Sequence, residues 1–135
     1  MSVVVAHQAS TIGQVALREA AKEASLRHAP LAVIHVAEGV DLDVVEAHKA
    51  GVGDQITTVL TEIGLDDLEW TLQVTTGEDV GEAVLDVVNT LDAELLVIGH
   101  RHRRLAALGS TTREVLHRAG CPVIVVPLGT GTEVR

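Results

Sequence analysis

Four short stretches of the chain are almost wholly apolar: Val3 to Ala6, Leu31 to Val36, Leu95 to Ile98 and Val123 to Val126. Their apolar positions run nearly without a break instead of alternating. That is the pattern of strands in a parallel sheet whose two faces are both covered by helices. A buried helix segment is the competing reading. The runs are short and rich in Val and Ile, which favours strands. A fifth run, Leu68 to Thr75, alternates more and reads as an edge strand.

Helical periodicity fills the gaps. Ser10 or Thr11 can cap a helix that runs to about His28, with Ile12, Val15, Ala16, Ala20 and Ala24 on one face. Asp41 to Gly64 reads as a second helical region, with a break or kink expected at Gly51 and Gly53. Glu78 to Leu91 reads as a third helix, with Val80, Ala83, Val84, Val87 and Val88 inward. Ser110 to Ala119 reads as a fourth, stopped by Gly120.

Strict alternation of strand and helix predicts one α/β domain: a five-stranded parallel sheet with right-handed crossovers and helices on both faces. The expected strand order is 3-2-1-4-5, which puts a topological switch between strands 1 and 4. Ligands of such sheets bind at the carboxyl ends of the strands, at the switch. Topology therefore points to the loops after Ala6 and after Ile98.

Composition narrows the class. The 135 residues suit a single domain, expected over residues 1–128 with a frayed, Gly/Thr-rich tail at 129–135. The chain is 47% hydrophobic, with one Trp and no Phe or Tyr, so the core must be aliphatic. Cys121 is the single cysteine, which leaves no internal disulfide and fits a reducing compartment. The opening MSVVVAHQAS lacks the basic and apolar regions of a signal peptide. No run approaches the ~18 apolar residues of a membrane span. A cytoplasmic location is expected. The net charge of −9 and the lack of stacking aromatics argue against a nucleic-acid partner.

The basic residues are not evenly spread. Arg101, Arg103 and Arg104 stand within four positions, beside His100 and His102, in the loop at the expected switch point. Gly109-Ser110-Thr111-Thr112 then opens a helix. Free backbone N–H groups and the helix dipole favour an anion there, and the hydroxyls add donors. The pattern suits a phosphate cradle with a cationic lid. Plainer readings stand beside it: Gly99 as a strand-end turn, Ser110 as an N-cap, the arginines as a solvated face. A metal site at His100 and His102 lacks a third ligand. His35, inside an apolar strand, reads as a packed, hydrogen-bonded residue. Cys121, before Pro122, reads as buried and not nucleophilic. Glu38, Asp41 and Asp43 read as a solvated loop, and Trp70 as packed at the sheet edge.

The stretch from Glu94 to Val126 resembles the C-terminal signature of the universal stress protein family, and VVVAHQAS, LAVIHVAE, TTGEDVGEAVLDVV and CPVIVVP resemble its other segments. The resemblance implies a Rossmann-like fold of the adenine nucleotide alpha hydrolase type. It implies a stress-response protein whose ligand is ATP, ADP, AMP or another adenine nucleotide, with Mg2+ accompanying a triphosphate. Carried over residue by residue, Ala6, His7, Gln8, Val36 and Ile98 would line the adenosine pocket. Gly99, His102, Gly109, Ser110, Thr111 and Thr112 would meet the phosphates. The resemblance also implies a homodimer through Val123 to Val126, and an exposed apolar edge strand fits that.

Three positions depart from the family motif of Gly, two residues, Gly, nine residues, then Gly-Ser or Gly-Thr. His102 replaces the middle glycine, the span from Gly99 to Gly109 is three residues shorter, and Gln8 stands where ATP-binding members carry Asp. Arg101 and Arg103 could supply by charge what the shorter loop loses in N–H groups. Two readings stay open: a nucleotide-binding regulatory module, or a non-nucleotide-binding dimer that acts through protein partners. No general base is evident beside the cradle, so any ATP hydrolysis is expected to be slow.

Overall fold

The computed structural model describes residues 1–7, 11–36, 42–75, 79–100 and 110–127. In chain order they form β1 (Val3–His7), α1 (Thr11–Arg27), β2 (Leu31–Val36), α2 (Leu42–Glu62), β3 (Trp70–Thr75), α3 (Val80–Thr90), β4 (Leu95–His100), α4 (Ser110–Arg118) and β5 (Val123–Pro127). All five strands are parallel and lie in the order β3-β2-β1-β4-β5, as the alternation predicts.

Side chains alternate across the sheet with period two and build two cores. Val3, Val5, Val33 and Val97 meet Leu17 and Ala20 of α1 and Ile56 and Leu60 of α2 on one face. Val4, Ile34, Leu96 and Ile98 meet Val84 and Val88 of α3 and Val115 of α4 on the other. Both cores are aliphatic. Trp70 is half-buried at the start of edge strand β3 and packs against the first.

The sequence reading needs correction at several boundaries. The strand expected from Leu68 begins at Trp70, because Leu65 to Leu68 forms a turn closed by Leu68 N–H on the Leu65 carbonyl. β4 runs two residues past Ile98, because Gly99 and His100 continue the ladder with Val126 and Pro127 of β5. α3 starts at Val80, one residue after Asp79, whose Oδ1 accepts the Glu82 N–H at 3.1 Å as an N-cap.

α2 passes through Gly51 and Gly53 without the expected break. Each glycine costs a helix interior about 1 kcal/mol against Ala. The buried stripe of Val52, Ile56, Val59 and Leu60 outweighs that local preference.

Three helices end in the same way. At α2, Gly64 has φ 73°, and the Gly64 and Leu65 N–H groups bond the Thr61 and Leu60 carbonyls. That is a Schellman motif. The same pair of bonds closes α1 at His28 (φ 55°) and α3 at Asp92 (φ 50°), where a side chain occupies the left-handed position.

Candidate functional site

β1 is central, and the chain moves from it to β2 on one side and later to β4 on the other. The crevice of an open α/β sheet forms where the strand order reverses, outside the carboxyl ends. Here that point lies between the ends of β1 and β4, at His7 and His100.

Pleating sorts the sequence-derived candidates onto two faces. Ile98 is buried, and Ala6 and Val36 are half-buried against the core formed with α3 and α4. Ala6 and Ile98 directly follow Val5 and Val97, the last pair in the β1–β4 register. They are the apolar positions nearest the switch point on that face. His7 has the parity of Val3 and Val5 and points to the opposite face, towards α1 and α2.

Gly99 is the penultimate residue of β4 and stands opposite Val126. α4 begins at Ser110, so the backbone of Ser110, Thr111 and Thr112 forms its first turn, with Thr112 half-buried. A nine-residue helix entered from β4 offers free N–H groups there. Gln8, Arg101, His102, Arg103 and Gly109 lie outside the described residues, as do Glu38, Asp41 and the tail at 129–135. The side chains of Asp43, Ser110 and Thr111 also lie outside them.

The structure adds a group that sequence reading missed. His7 and His35 are register partners on β1 and β2. Their Nδ1 atoms stand 3.0 Å apart, and both residues are buried. Burial, and after it the charge of His35, lowers the His7 pKa from 6.5 to about 4. Each is the fifth residue of its strand, and equal offsets in two adjacent parallel strands were the signal available. The expectation that His35 is packed and hydrogen-bonded holds. His100 is buried too, but its parity places it on the α3/α4 face, away from this pair.

Cys121 is half-buried, and burial pushes its thiol up against an opposing hydrogen bond to the Leu96 backbone. A raised pKa keeps it protonated and a poor nucleophile. A groove of about 470 Å³ opens between the end of α1 and the start of β3, lined by His28, Pro30, Leu65 and Glu69 among others. It lies at the amino ends of the strands, away from the carboxyl ends where ligands of open α/β sheets bind.

The model of the universal stress protein family matches residues 1–127. The chain belongs to the universal stress protein family. A universal stress protein A homolog of Pasteurella multocida is 31% identical over 135 residues, covering 93% of this chain and 95% of that protein. The structure of the universal stress protein from Archaeoglobus fulgidus in complex with dAMP is 28% identical, with a TM-score of 0.71 over 93% of this chain and 97% of that one. Universal stress protein UspA from Lactobacillus plantarum, at 20% identity, has a TM-score of 0.73 over 93% of this chain and 97% of its own, and shows the same fold.

Proposed function

We propose that the crevice between the ends of β1 and β4 binds an adenine mononucleotide, and that the protein is a nucleotide-responsive regulator in the cytoplasmic stress response. The observation that carries this reading is the coincidence of two features at one switch point. An apolar wall of Ala6 and Ile98, extended by Val36, suits a base. The first turn of α4, reached from Gly99, suits a phosphate. The Archaeoglobus relative solved with dAMP supports the same class of ligand. His7 lies on the other face, so in this reading its part in the pocket is played through the backbone at the end of β1.

Among the described residues, no three His, Cys, Asp or Glu side chains come together to hold a metal ion. The reading therefore concerns the nucleotide, with no protein-held Mg2+ assigned. Catalysis is not part of it.

Calorimetry of the purified chain with AMP, dAMP, cyclic AMP, ADP and ATP tests the reading, together with mass spectrometry of any ligand that copurifies. Heat of binding with AMP or dAMP is the expected result. No heat with any of the five, and no copurified ligand, would sink it.

The second reading, a dimer acting through protein partners, draws on the shorter span from Gly99 to Gly109, His102 and Gln8. In both readings the chain pairs with a second copy along β5. This strand has β4 on one side and, among the described residues, no strand on the other.

A further inference from the structure

The His7 and His35 rings lie 5.2 Å apart, tilted by 48°. Their exposures are 3% and 6%. A hydrogen bond between two ring nitrogens requires one to carry a proton and the other to be bare. His7 Nε2 is buried and has no partner among the described residues. An N–H stranded there would cost more than an unused lone pair. His7 is therefore assigned the proton on Nδ1 and donates to His35 Nδ1, leaving its own Nε2 bare.

Proton counting then fixes what acid does. A proton added to His7 must go to Nε2. If His35 carries the charge instead, its Nδ1 becomes the donor, and His7 must shift its own proton to Nε2. Either way an N–H appears at the buried Nε2, where no described group accepts it. A second proton sets two N–H groups against each other and breaks the bond.

We propose that the His7–His35 pair is a proton-operated latch at the crevice end of the sheet. Neutral, it ties the carboxyl ends of β1 and β2 together through their side chains. The first proton puts an N–H at Nε2 that draws water to the strand ends while the Nδ1–Nδ1 bond remains, and the second breaks that bond and lets the ends part. β1 borders the crevice, so the latch regulates whatever binds there; for a nucleotide, that consequence rests on the reading above.

His35 is the one charge acting on His7 among the described groups. The ionisable residues of the facing helices, Arg18, Glu19, Lys22, Glu23 and Arg27 on α1 and Lys49, Asp54 and Glu62 on α2, lie on exposed or half-buried positions. The side chains of Asp43, Glu46 and His48 lie outside the described set.

The test is a ligand-free NMR titration of the full chain, labelled with 15N, from neutral pH into the acid range. Imidazole spectra should show His7 as the Nδ1–H tautomer, with a midpoint well below its ordinary value. The amides of Ala6, His7, His35 and Val36 should move with that midpoint, while those of Val3 and Leu31 stay still. In His7→Asn the amide side chain can still donate to His35 but cannot take up the proton, so the amides of Ala6 and residue 7 should lose the step at the His7 midpoint, leaving any step that tracks the His35 imidazole's own titration. His35→Gln should raise the midpoint, with the strand-end amides following it. An ordinary His7 midpoint, strand-end amides that ignore it, or a step at the His7 midpoint that persists in His7→Asn would overturn the latch. Because no ligand is present, the spectra judge it whether or not the crevice takes nucleotide.

Discussion

His7 and His35 face each other across the β1–β2 ladder with their Nδ1 atoms 3.0 Å apart, deep enough that His7 titrates at about 4. This has a global consequence as well as a local one. In the unfolded chain His7 returns to its ordinary 6.5. Between those two values the unfolded state binds the proton and the folded state does not. Stability is therefore full above pH ~6.5, falls as pH drops towards ~4, and levels off below, for a loss of about 3 kcal/mol from this residue. Urea denaturation of wild type and His7→Asn at several pH values follows the contribution of the pair, since every titrating group apart from His35, which is coupled to His7, behaves alike in both. The gap between the two curves should shrink steadily on acidification. A gap independent of pH would refute the assignment.

The ends of α1 and α3 hold non-glycine residues, His28 and Asp92, at φ 55° and 50°. A side chain in this region costs about 1–2 kcal/mol, less for Asp, whose short polar group tolerates it. His28→Gly should therefore stabilise the protein, by about 1 kcal/mol once the entropy of the freer unfolded glycine is set against the relief. Asp92→Gly should gain less. Thermal melts at neutral pH measure both, and the ordering of the two is the sharper check.

The opposite change is expected inside α2. A Cβ built on Gly51 or Gly53 meets nothing within 4 Å, and both positions are helical. Alanine there should stabilise by about 0.5–1 kcal/mol per site, through the unfolded state and helix propensity. The Gly53 carbonyl that accepts the Thr57 hydroxyl is untouched by the change. A destabilised Gly53→Ala would show that α2 needs the backbone freedom of glycine at that position.

These positions also show how far the chain could be read without its structure. Runs such as Leu31 to Val36 were legible because a strand covered on both faces leaves almost no polar positions. Alternation makes the sheet parallel, and the expected order 3-2-1-4-5, one of the common doubly wound orders, is the one observed. The continuity of α2 is not legible locally, because the propensity of Gly51 and Gly53 is overridden by the buried stripe from Val52 to Leu60. The αL ends at His28 and Asp92 carry no glycine and so gave no signal. Part of the candidate site was legible and then divided: Ala6, Val36 and Ile98 share a face, while His7 joins His35 on the other. Only alignment of strand offsets, beyond the apolar pattern, reveals that division.

The open edge of β5 gives the last prediction. In a strand, successive residues direct their backbone groups to opposite sides. The Pro122 carbonyl accepts the Leu96 N–H, so Pro122 faces β4. Alternation then turns Ile124 and Val126 towards β4, and Val123 and Val125 towards the open edge. Val125→Pro should therefore leave the β4–β5 ladder in place while removing a donor from the edge, a location where a sheet accepts proline. If a second copy pairs there, the variant should sediment as a monomer where the parent sediments as a dimer, with far-ultraviolet circular dichroism nearly unchanged. A parent that is monomeric at micromolar concentration would rule out the edge pairing. A variant that stays dimeric would move the interface away from β5.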